Sequence, residues 1–191
     1  MNILFTNIVA AQSTLEALRP LEGALNHAAD AVRSALIGGG KLLVAGNGGS
    51  AGDGGDFSTE FTCRFMTDRR PFPAINLADG ASVVTATGND YGFDEIFARQ
   101  VRAFGKTGDV LVVITTSGNS ANIVRALETA RTQGVVSIAL LGKDGGAARG
   151  LADVELIVPS QVTARIQEAQ RFLLHTLCEI VEPALQAAAA D

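Results

Sequence analysis

Residues 41–61, KLLVAGNGGSAGDGGDFSTEF, constrain the chain more than any other stretch. Leu42 to Ala45 form a short apolar run of the kind a buried parallel strand carries. Gly46-Asn47-Gly48-Gly49-Ser50 follows, and then a segment that can be helical. A strand, a glycine turn and a helix start together aim backbone N–H groups and a positive helix end at an anion. Glycine also lets the backbone approach a ligand closely. The turn is neither a dinucleotide fingerprint nor a P-loop, since no GxGxxG fits and no Gly-Lys-Ser/Thr follows. An ordinary βα turn looks the same over these residues. Ser50 and the acids Asp53, Asp56 and Glu60 just downstream are what point to a site.

The rest of the chain alternates in the same way. Apolar spacings of three and four predict helices over residues 2–18 and 21–36, and Gly38-Gly39-Gly40 closes the second one. His27, in that second helix, reads as a surface or packing residue. After the first strand come a helix over 51–66, a strand over 74–77 and a short helix over 81–87 that ends before Gly88-Asn89-Asp90. A helix over 93–104 and a strand over 110–114 follow. Then come a helix over 121–133 with Ser120 as its N-cap, strands over 135–141 and 154–158, and a helix over 163–185. Residues 187–190 read as a tail without evident role. Gly52, Gly54 and Gly55 should weaken the first turn of their helix, or let another group come close. The expected fold is a three-layer, doubly wound α/β domain with a parallel sheet and right-handed crossovers, preceded by two helices. It is a single domain over 1–191, with 1–40 used for oligomer packing and 41–187 as the α/β core.

Composition removes several classes of function. Among 191 residues, 15 basic against 20 acidic side chains give a net charge of -5. That excess of acid argues against electrostatic nucleic-acid binding and offers no basic face to a membrane. A hydrophobic content of 47% is enough for a substantial core. No apolar run is long enough for a membrane span and no leader peptide is recognisable, so the expectation is a cytoplasmic protein. Cys63 and Cys178 lie in apolar helical contexts and are expected to be buried free thiols.

Two sets of residues carry the chemistry. Thr115-Thr116-Ser117-Gly118-Asn119-Ser120 places hydroxyls and a helix start after a buried strand, which suits phosphate oxygens as well as simple capping. In open α/β sheets, ligands bind at such carboxyl ends of strands. The second set is Asp56 and Glu60, four apart on one helix, with Gln167 and His175, eight apart on another. It fits either a divalent-ion site or a general acid–base set.

Taken together, these residues resemble the phosphoheptose isomerases, the sedoheptulose 7-phosphate isomerases of the sugar-isomerase (SIS) fold. The resemblance covers nearly the whole chain. It rests on GNGGSA at 46–51, GNDYGF at 88–93, TTSGNS at 115–120, ARIQE at 164–168 and HTLCEIVE at 175–182. It implies a flavodoxin-like SIS domain that forms a homotetramer with active sites shared between subunits. It also implies conversion of the ketoheptose 7-phosphate into D-glycero-D-manno-heptose 7-phosphate through an enediol.

The resemblance further implies roles for single residues. Glu60 and His175 fall on the acid–base pair. Asn47, Gly48, Gly49 and Ser50 fall on substrate contacts, Asn89 and Asp90 on sugar contacts, and Thr115, Thr116, Ser117 and Ser120 on the phosphate cradle. Thr115 stands where a serine is usual. Gln167 falls on a ligand of both substrate and metal. The implied cofactor is zinc, held by Asp56, Glu60, Gln167 and His175, and no nucleotide is required. Asp56 stands where the family usually has a histidine, which makes the site harder and tilts it toward Mg²⁺ or Mn²⁺. Gln170 likewise replaces a frequent histidine, and Gly54-Gly55 replace Ala-Gln. Two other readings remain open: a non-catalytic SIS protein that binds a replication-initiation protein, and an isomerase for another sugar phosphate. Retention of both Glu60 and His175 favours the enzyme.

Overall fold

A computed structural model of the chain describes residues 2–189. Five strands form one all-parallel sheet in the order β2-β1-β3-β4-β5. They are β1 (Leu42–Gly46), β2 (Ala74–Asn76), β3 (Val110–Thr115), β4 (Val136–Gly142) and β5 (Val154–Val158). The helices are α1 (Ile3–Glu16), α2 (Glu22–Ile37), α3 (Gly49–Thr62), α4 (Ala81–Tyr91), α5 (Ile96–Phe104), α6 (Ala121–Gln133) and α7 (Thr163–Ala189). Alternate strand residues face opposite ways, so β1 sends Leu42 and Val44 into one core and Leu43 and Ala45 into another. The first core is completed by α2, α3 and α7, and the second by α5 and α6. Burial on both faces explains why β1 is apolar throughout, why β3 is apolar as far as Ile114, and why every residue of both is buried. The three-layer, doubly wound reading therefore stands.

The connection leaves β1 toward β2 on one side and continues from β3 on the other, so the order reverses between β1 and β3. Such a switch point opens a crevice at the carboxyl ends of the two strands. The glycine turn follows β1 and the hydroxyl loop follows β3, so both expected loops meet there.

Four expectations from sequence are corrected. α4 runs through Gly88, Asn89 and Asp90 and stops only at Gly92, whose φ of 92° is the real helix terminator. α3 ends at Thr62 rather than residue 66. Cys63, just beyond that end, is exposed and not buried, whereas Cys178 is buried. At the other end of the chain, α7 extends past residue 185 to take in Ala187–Ala189; Ala190 lies outside the described residues.

Candidate active site

Backbone geometry builds the two loops. Gly48 is the N-cap of α3, with φ 56° and ψ -121°, a conformation that a residue with a Cβ resists. In the second loop, Gly118 has φ +66°, and a Cβ there would lie 1.9 Å from the Gly145 carbonyl oxygen. The Gly118 carbonyl accepts the Ala148 N–H at 2.9 Å, and the Asn119 Oδ1 accepts the Ala147 N–H at 2.9 Å. The loops after β3 and β4 thus brace each other. Within the hydroxyl loop, the buried Thr115 Oγ1 accepts the Gly118 N–H at 3.2 Å and the Ser117 Oγ accepts the Asn119 N–H at 3.1 Å. Both hydroxyls keep their own proton to donate. Ser120 occupies the N-cap position of α6 with extended backbone, but its hydroxyl makes no cap bond. The first turn of α6 therefore leaves N–H groups that a ligand anion can take.

One pair of side chains ties the loops across the switch point. Asn47 and Asn122 exchange amide hydrogen bonds of 2.9 and 3.0 Å. Asn47 is thus held by Asn122, and the Gly48 and Gly49 backbone beside it is exposed. Ser50 is buried under the start of α3. Asn122 was not legible as part of the site, because an amide in a helix's first turn reads as surface.

The titratable groups sit where α3 and α7 run side by side in the same direction. A Cβ on Gly49 would meet the Gln167 Nε2 at 2.4 Å, so α3 starts in contact with that amide. One turn along, Arg171 donates from Nε and Nη2 to the Asp53 Oδ1 at 2.9 and 2.6 Å, at the same sequence offset of 118. Its Nη1 lies 2.7 Å from the Asp56 Oδ2. The Asp53 hydrogen bond, and then that of Asp56, raises the guanidinium pKa above its usual value. One turn further still, Glu60 is half-buried and His175 exposed, with the His175 ring 6.0 Å from that of Phe65. Burial first, and then the Glu60 charge, pushes the Cys178 thiol far up, so Glu60 faces the turn of α7 that also carries His175. Below it, Glu182 accepts from the Arg69 Nε at 3.1 Å and from the Thr67 hydroxyl at 2.8 Å, pinning the segment after α3 to α7.

Two clefts flank this helix pair. One of about 330 Å³ is lined by Gly49, Asp53, Gln167, Glu168 and Arg171. The other, of about 280 Å³, has Arg171, Phe172 and His175 on one wall and Ala11 and Leu15 of α1 on the other. Arg171 is common to both. Asn89 and Asp90 stand apart from these walls. They are exposed on the last turn of α4 and hydrogen-bonded to each other at 2.7 Å.

The glycines of α3 admit a neighbour rather than loosening the helix. Asn76, at the end of β2, donates to the Ala51 carbonyl at 3.1 Å, and its Oδ1 lies 3.3 Å from where a Gly54 Cβ would be. Gln170 is fully buried and spends its amide on the Thr115 and Leu140 carbonyls at 3.2 and 2.9 Å. It therefore braces the hydroxyl loop from beneath.

Asp56 offers its carboxylate to Arg171, and a metal ion there would sit beside a fixed positive charge. Among the described residues, no three His, Cys, Asp or Glu side chains are grouped to hold an ion, so Asp56, Glu60 and His175 do not form such a set. Gln167, the fourth expected ligand, lies against Gly49.

The SIS-domain family profile matches residues 8–142. The phosphoheptose isomerase of Shewanella loihica is 46% identical over 177 residues, covering 91% of this chain and 90% of that protein. The solved phosphoheptose isomerase of Francisella tularensis superposes with a TM-score of 0.86 at 43% identity, over 94% of each chain. That of Neisseria gonorrhoeae superposes with a TM-score of 0.85 at 41% identity, over 94% of this chain and 95% of that one. Likeness of that extent reaches both loops and both helices of the site, and the chain belongs to the phosphoheptose isomerase family of SIS-domain proteins.

Proposed function

We propose that the chain isomerises sedoheptulose 7-phosphate to D-glycero-D-manno-heptose 7-phosphate, with Glu60 and His175 moving the proton. The observation that carries this reading is the parallel pairing of α3 with α7 at a constant offset of 118 residues, which sets Glu60 opposite Cys178, one turn beyond His175. A proton leaves C1 of the ketose, the C2 carbonyl becomes the enediol oxygen, and a proton is returned to C2 as C1 becomes the aldehyde. One of the two side chains takes the proton and the other supplies it. The phosphate end is assigned to the loop of Thr115, Thr116, Ser117 and Ser120, where hydroxyls and the start of α6 suit a dianion. The sugar chain is assigned to the Asn47–Ser50 turn, Gln167, Asn89 and Asp90. Incubation with sedoheptulose 7-phosphate tests the reading. Aldose should accumulate, and its absence with folded protein would refute the assignment.

The assembly proposed is a homotetramer with shared sites. Supporting it, α1 exposes Ile3, Leu4, Phe5, Ile8 and Val9, and the cleft holding His175 is walled partly by α1. The proposed setting is the cytoplasm, where unpaired thiols such as Cys63 and Cys178 stay reduced. Among the described residues, no helix is long and apolar enough to cross a membrane.

A further inference from the structure

The unexplained feature of the site is Arg171. It projects from α7 one turn before His175, just as Asp56 projects from α3 one turn before Glu60. The two helices thus carry an ion pair and, next to it, the proposed acid–base pair. The Arg171 guanidinium is not a loose surface charge. Asp53, itself buried, takes two of its nitrogens and Asp56 takes the third. A guanidinium has five N–H donors; Asp53 takes one from Nε and one from Nη2, and Nη1, ion-paired with Asp56, still has a donor to offer. The same group forms a wall of both clefts.

We propose that the Arg171 guanidinium, anchored by Asp53 and Asp56, is the resident cation of this site in place of a divalent metal ion, and that its free N–H groups bind the substrate oxygen on which negative charge develops. The proposal deepens the isomerase reading and rests on it for the identity of that oxygen. As C1 loses its proton, electron density moves to the C2 oxygen, and a fixed donor of positive charge stabilises it. No redox step and no further reactant is involved. The anchoring explains why Asp56 suits this chain: a carboxylate balances the charge of a guanidinium, whereas an imidazole does not.

The test has two arms. Dialysed wild-type protein is titrated with zinc alone by calorimetry, alongside Asp56→His combined with Arg171→Leu. The expected result is no stoichiometric zinc in the wild type and one zinc per chain in the double variant. One zinc per wild-type chain surviving dialysis would overturn the proposal. This arm needs no substrate, so it stands even where the isomerase assay is blank, and a zinc-loaded active wild type would sink the proposal while sparing the isomerase reading. The second arm measures turnover in excess chelator. The wild type should be unaffected, Arg171→Leu should lose about 10²-fold in kcat, and Asp56→Asn about tenfold, with KM changing less. Asp56 is exposed, so its variant keeps the test alive if Arg171→Leu unfolds. An unchanged kcat in Asp56→Asn, or loss of wild-type activity on chelation, contradicts the proposal.

Discussion

The hydroxyl loop after β3 and the face between α3 and α7 are built on different principles. The loop is held by its backbone: Gly118 is pressed against the Gly145 carbonyl, Thr115 and Ser117 accept N–H groups from within the loop, and Gln170 braces it from below. The helix face is held by side-chain pairs, Asp53 and Asp56 with Arg171 and Glu182 with Arg69. A backbone-built site tolerates change in side chains but not in glycines. A side-chain-built site can exchange one charged partner for another while the helices stay where they are. Of the residues expected to depart from the family pattern, Asp56, Gly54, Gly55 and Gln170 lie on α3 and α7, and Thr115 opens the loop.

Perturbing each region should give a different kind of damage. The largest effect is expected on the helix face, where Glu60→Gln and His175→Gln should each cut kcat by about 10²-fold or more with the fold intact. Steady-state kinetics and a thermal melt check it, and near wild-type kcat in both would break the assignment. Next is Gly118→Ala, which forces a Cβ into the Gly145 carbonyl at positive φ. It should cost about 2–3 kcal/mol of stability, read by denaturant unfolding. An unchanged midpoint would show that the loop is not braced as described. The smallest effect is expected from Ser117→Ala. Losing one hydrogen bond to a charged group should raise KM about tenfold with little change in kcat, if ground and transition states feel the contact equally. Inorganic phosphate should compete with substrate in the wild type, and a kcat effect without a KM effect would move Ser117 out of the phosphate cradle.

The sheet was legible because burial on both faces writes each central strand as an unbroken apolar run, as in Leu111 to Ile114. Helix ends were less so. Gly88 looked like a stop, yet nothing in its backbone requires one, and the stop is Gly92 with positive φ. Cys63 looked buried because α3 was read past its true end. In the site, the two loops announced themselves through glycine and hydroxyl clustering after strands. Arg171 did not. A single charge in the pattern of α7 reads as a solvated face, and its buried partner Asp53 lies 118 residues away, beyond any local periodicity. Asn122 was hidden for the same reason, since its partner Asn47 is 75 residues back.

The central claim is that Glu60 and His175 move a proton between neighbouring carbons of a ketose phosphate. The most direct measurement follows sedoheptulose 7-phosphate by NMR in deuterated water, with wild-type protein and with Glu60→Gln. The account predicts aldose carrying deuterium at C2 with the wild type, and loss of both product and exchange with the variant. Aldose formed at the same rate by the variant, or no aldose and no exchange with folded wild type, would contradict it.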